Sequence, residues 1–234
     1  MKKVFAYMMI MAVMLVSACT QRTGSGNVLT EVRKMDRFEG INVSGEMSIT
    51  ITPSAKYDVK VTADDNIIKH VNTVVKGDQL YVECGRENEE SNITVNILMP
   101  SINSIETQGN VGINIKEGFA INDLEIRTFG SGNIDIRSIK SDGAIKILSR
   151  GSGNITLSGS VKTFSCFTRD AGNVFADQLE AGSVVAKVGG AGSIFTKTNG
   201  NMNVIVAGSG SVFFSGKPSM ISKYITGSGS VMPR

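Results

Sequence analysis

A five-residue motif of the form small–small–Gly–Asn/Ser–aliphatic recurs along the second half of the chain. It reads TQGNV from residue 107, GSGNI from 130 and 151, DAGNV from 170, GAGSI from 190, and GSGSV from 208 and 227. Its third residues are Gly109, Gly132, Gly153, Gly172, Gly192, Gly210 and Gly229, spaced 23, 21, 19, 20, 18 and 19 apart. A repeat of that length cannot bury an apolar face alone, so it has to stack on its neighbours.

The residues between motifs fall into columns as well. Six positions before each motif stand Leu124, Ile145, Phe164, Val184, Met202 and Ile221. Four positions before stand Ile126, Ile147, Cys166, Ala186, Val204 and, as the exception, Lys223. Each motif ends on an aliphatic residue, from Val111 through Ile134, Ile155, Val174, Ile194 and Val212 to Val231. Period-two alternation on both sides of a turn predicts strand, corner, strand. The expected fold is all-β: a parallel β-helix of about 20 residues per coil, stacked at about 4.8 Å.

In this reading Gly132, Gly153, Gly172, Gly192, Gly210 and Gly229 are corner residues that supply a positive φ. Asn110, Asn133, Asn154 and Asn173 stack as a hydrogen-bonding ladder, which Ser193, Ser211 and Ser230 continue more weakly. A phosphate loop would need a following lysine and helix, whereas isoleucine and a strand follow here. Calcium-binding β-rolls repeat every nine residues or so with an aspartate, a pattern this motif lacks.

Ahead of the repeat, residues 1–18 read as a signal peptide: Lys2 and Lys3, an apolar run from Val4 to Val16, then Val16-Ser17-Ala18. That run is too short to span a bilayer, which takes about 20 residues. The LVSAC stretch resembles the lipobox of bacterial lipoproteins, which makes Cys19 the expected lipidation site and membrane anchor. Thr20-Gln21 lacks the aspartate of an inner-membrane retention signal, so in a Gram-negative envelope the outer membrane is expected. Residues 19–36 then form a linker. Without residues 1–18 the chain carries 22 basic and 21 acidic side chains, a balance that offers no field for nucleic acid.

Residues 37–100 read as one further coil, FEGINVSGEMSITI from Phe38, followed by a strand-rich cap between Pro53 and Pro100. Within the cap YDVKVTA, QLYVEC and SNITVNILMP are strand segments, and NIIKHVNTVV is a short helix or irregular link. Residues 101–234 hold the repeats. Pro233 and Arg234 are expected to blunt the far edge.

The lipobox, the FEGINVSGEMSITI segment and the GSGNI corners together resemble the putative auto-transporter adhesin, head GIN domain family, over roughly residues 37–232. Gly-Ile-Asn itself occurs at Gly40-Ile41-Asn42 and Gly112-Ile113-Asn114. The resemblance implies a right-handed β-helical fold in bacterial envelope proteins, many of them lipoproteins, with an adhesin role. It brings no catalytic residues. The sequence departs from an auto-transporter in having no C-terminal stretch long enough for a membrane barrel.

No catalytic, metal or cofactor constellation emerges from the residues. His70 has no nucleophile that sequence can assign to it, Glu87–Glu90 reads as a solvated loop, and Arg150, Arg169 and Asp170 read as surface ion pairing. Cys166 falls in an inward column and reads as a buried thiol rather than a bridge to Cys84. Against this bland background one outward column is aromatic: Phe175, Phe195 and Phe213, followed by Met232. Before the corner, Phe167 and Tyr224 are also outward. These five rings are the candidate binding surface for a glycan, an envelope protein or a second copy of the chain. The leading reading is a non-enzymatic, lipid-anchored envelope protein; a polysaccharide-active enzyme and an accessory protein without a ligand are the alternatives.

Overall fold

The structure is a computed structural model describing residues 24–85, 92–119 and 121–234. The signal-peptide segment, Cys19 and Glu87–Glu90 lie outside the described residues. The chain forms a β-solenoid of about 6 turns at roughly 20-residue spacing.

Alternating Ile and Val around a corner make strands long enough to bend through it. β2 (Gly40–Pro53) and β7 (Ser104–Ile115) cross their corners unbroken and pair in parallel from Gly40↔Ser104 to Ile51↔Ile115. β8 (Leu124–Gly130), β9 (Ile134–Gly151), β10 (Ile155–Thr168), β11 (Val174–Val188) and β12 (Ile194–Val206) continue the parallel stack. The columns expected from sequence are adjacent files in space. Ile134 pairs with Ile155, which pairs with Val174, then Ile194 and Val212. A second inward file runs Ile41, Ile105, Ile126, Ile147, Cys166, Ala186 and Val204, every member buried. Apolar burial on this pattern is the main stabilising term, about 1.5–3 kcal/mol per large aliphatic side chain.

The corner glycines have a different cause from the one expected. Of the third-position set only Gly109 has a positive φ, +96°. At Gly132, Gly153, Gly172, Gly192, Gly210 and Gly229 a Cβ would overlap a carbonyl oxygen of the preceding coil. Close backbone stacking, not a left-handed turn, excludes every other residue there. The asparagine ladder runs from Asn133 onward in a specific form, a side-chain oxygen accepting the backbone N–H of the next coil, while the Asn110 amide, expected to begin it, donates to Glu46 instead. Asn133 Oδ1 accepts from Asn154 at 2.8 Å, Asn154 from Asn173 at 3.1 Å, and Asn173 from Ser193 at 2.9 Å. Ser193 and Ser211 Oγ continue it to Ser211 and Ser230 at 3.3 and 3.1 Å.

At the N-terminal end β2 is covered by β5 (Gln79–Glu83) on one arm and β6 (Thr94–Met99) on the other, both parallel. β4 (Asn72–Lys76) closes antiparallel on β5, and β3 (Asp58–Asp64) on β6. β1 (Val28–Lys34) then adds antiparallel to β3 where the sequence reading placed a linker. Arg33 of β1 latches the two arms. Its guanidinium donates to the carbonyl oxygens of Val71 (2.6 Å) and Ile68 (3.2 Å) and to Thr73 Oγ1 (3.1 Å). The one-turn helix α1 (Asp65–Ile68) and the turn after it, closed by His70 N–H donating to Ile67 O, carry two of those acceptors.

At the other end β13 (Val212–Ser215) and β14 (Met220–Ile225) stack on β12, and β15 (Val231–Pro233) on β13. Lys223 ends the apolar file that contains Val204, its ammonium 5.5 Å from the Phe214 ring centroid. A cation in an inward position opposes further strand addition, so Lys223 blunts this end together with Pro233 and Arg234.

Candidate recognition surfaces

The outward file after the corner runs Asn114, Asp135, Thr156, Phe175, Phe195, Phe213 and Met232. Parallel in-register pairing puts like rings one strand spacing apart, so they stack. Phe175 and Phe195 lie 5.1 Å apart at 14°, and Phe195 and Phe213 lie 4.9 Å apart at 10°. All three are half-buried. Phe195 has a ring on each face. Phe175 and Phe213 each stack one face on it and meet Thr156 and Met232, respectively, along the file on the other side, so the ladder turns ring edges outward. Arg234 folds onto this strip, its guanidinium 5.5 Å from the Phe195 centroid and 3.4 Å from Asp177 Oδ2.

Phe167 and Tyr224 stand on the other side of the corner, in a file that runs Tyr81, Asn42, Glu106, Arg127, Leu148, Phe167, Lys187, Ile205 and Tyr224. Lys187 and Ile205 separate the two rings. The five sequence-predicted residues therefore make one contiguous ladder of three and two isolated rings.

Among the described residues Arg150 and Arg169 lie on aromatic rings and form no ion pair where the sequence suggested one. Arg150 lies 5.7 Å from the Phe129 centroid and Arg169 5.4 Å from that of Phe167, so both cations cover aromatic faces. Asp135 instead holds Arg137 in a two-pronged contact at 3.0 and 2.8 Å, which raises the Arg137 pKa. Cys84 and Cys166 are both buried and are not bridged to each other, and burial pushes the Cys166 thiol well above its ordinary value. Among the described residues no group of three or more His, Cys, Asp and Glu is placed to hold a metal, and no helix is long and apolar enough to cross a membrane.

Two concavities open on the lateral face. One of about 400 Å³ is polar and bordered by Asn42, Gln79, Tyr81, Glu106 and Arg127. The larger, about 650 Å³, lies over the corners of β2, β7 and β8, where Glu46, Gln108, Asn110, Phe129, Ser131 and Ser152 converge. Sequence reasoning missed both, because their residues come from three to four separate coils.

Residues 37–218 match the family described as "Putative auto-transporter adhesin, head GIN domain". The chain belongs to that family. Among solved structures it is similar to a "putative adhesin" from Bacteroides fragilis at 25% identity, with 91% of this chain and 100% of that chain covered and a TM-score of 0.85. A "putative adhesin" from Parabacteroides distasonis shares the fold at 22% identity and TM-score 0.74, covering 91% of this chain and 99% of that one. A "putative lipid binding protein" from the same species does so at 21% identity and TM-score 0.69, with the same coverage. No curated protein matches the chain.

Proposed function

We propose that this head GIN domain protein is a non-enzymatic, adhesin-like recognition protein of the bacterial cell envelope, anchored by lipid at Cys19 to the outer membrane, which holds a partner through its lateral surface. The observation that carries the reading is Phe195 stacked between Phe175 and Phe213 on an outward file. Saccharide C–H groups dock on open ring faces, and this ladder has spent its faces internally. An apolar strip of ring edges with Arg234 at its side fits a protein partner, since Phe, Met and Arg are enriched at the centres of protein interfaces. The lipobox supports the anchor, and the adhesin names of the similar structures support an envelope role.

A photoreactive amino acid at Phe213, in cells expressing the full-length protein, tests this. The expected result is a discrete cross-linked adduct that is absent when the same group replaces Lys146 on the opposite side of the corner. Equal labelling from both positions, or no adduct at Phe213, would reject the lateral strip as the interface. An adduct of twice the chain mass would identify the partner as a second copy.

A further inference from the structure

We propose that the cavity over the corners of β2, β7 and β8 is a second binding site, selective for a neutral saccharide. Gly45 and Gly109 are in its lining, and both hold positive φ, +122° and +96°. The hollow is about 650 Å³, inside the range of about 300–1,000 Å³ usual for ligand pockets. Its chemistry is that of a polyol receptor. Asn110 Nδ2 donates to Glu46 Oε1 at 3.0 Å, which fixes the carboxylate and leaves its other lone pairs for incoming hydroxyls. The Gln108 amide and the Ser131 and Ser152 hydroxyls supply both donors and acceptors, as each sugar hydroxyl requires.

Phe129 differs from the ladder phenylalanines in having no aromatic neighbour in its file. It pairs with Arg150 on one side and Gln108 on the other. Arg150 lies over the ring, and Phe129 is itself in the cavity lining, where it offers apolar surface for sugar C–H contacts. That same stacking holds Arg150 out of the lining, whose only charge among the described residues is Glu46. An anionic ligand would meet the Glu46 carboxylate, which selects against uronic acids and phosphates.

The test is titration of the full-length protein, in detergent, with maltotetraose, cellotetraose, tetra-N-acetylchitotetraose and, as the acidic control, tetragalacturonate. Saturable binding of at least one neutral tetrasaccharide is expected, with tetragalacturonate the weakest. Glu46→Gln and Gln108→Ala, both polar positions outside the core, should each weaken it about tenfold. Phe195→Ala should leave it unchanged, which separates this site from the protein-binding strip. Failure of all three neutral probes, preference for the acidic one, insensitivity to both cavity variants, or loss in Phe195→Ala would overturn the proposal.

Discussion

The carbonyl oxygen of Gly153 occupies the space that a Cβ on Gly172 would fill. The same relation links Gly192 to Gly172 and Gly210 to Gly192, so the corner is a column of backbone on backbone. Gly172→Ala should therefore force the coils apart and destabilise the fold by about 1–3 kcal/mol, the usual cost of overpacking. Gly112→Ala is the control, since nothing lies within 4 Å of its added Cβ and its φ is not positive. Thermal unfolding should show a clear drop for the first and little change for the second. Equal effects would mean that the column is not what selects glycine.

The ladder rung between Asn154 and Asn173 can be removed without disturbing the core. Asn154→Ala leaves the half-buried Asn173 N–H without its acceptor and should cost about 1–2 kcal/mol. Amide exchange at Asn173 should accelerate in step. Asn154→Ser should retain part of the rung, because Ser193 and Ser211 already serve that way in later coils.

Phe195→Ala removes the central ring and both stacking contacts, each worth about 0.5–1.5 kcal/mol. The expected loss is about 1–3 kcal/mol by denaturant titration. Arg234→Ala removes the exposed cation beside it together with its ion pair to Asp177 and should cost under about 1 kcal/mol.

Cys166 gives the stack a pH signature. Its folded pKa is raised by burial, so the thiol is neutral in the fold. An unfolded thiol ionises near pH 8.5 or so. The stabilising contribution is therefore complete below that value and lost as pH rises above it, by up to about 1.4 kcal/mol per pH unit. Stability measured between about pH 8.5 and 10.5 should fall more steeply in the native chain than in Cys166→Ala. Matching slopes would contradict a buried thiol.

The anchor is tested by Cys19→Ser, which should move the protein from the membrane fraction to the soluble fraction. Retention in the membrane fraction would contradict acylation.

The stack was legible in sequence because each inward file repeats one chemistry: Leu124, Ile145, Phe164 and Val184 announce a buried position whatever the coil. The glycines were legible as a corner but not in cause, since a positive φ and a close backbone approach demand the same residue. β1 escaped detection because VLTEVRK buries almost nothing and so shows no inward period. Arg169 stands two residues after Phe167 in sequence and was read instead with its neighbour Asp170, whereas Arg150 was hidden because Phe129 is its neighbour only once the register is known. The saccharide cavity was invisible for the same reason: Glu46 and Asn110 meet across 64 residues of chain.

The stacking itself is open to a direct distance measurement. Spin labels at Met232 and, in separate variants, at Thr156, Asp135 and Asn114 all sit on one file, four, five and six coil steps from Met232. Pulsed electron paramagnetic resonance should give backbone separations of about 19, 24 and 29 Å, rising by one strand spacing per coil. Separations that do not grow by about 5 Å at each step would contradict the solenoid and every surface derived from it.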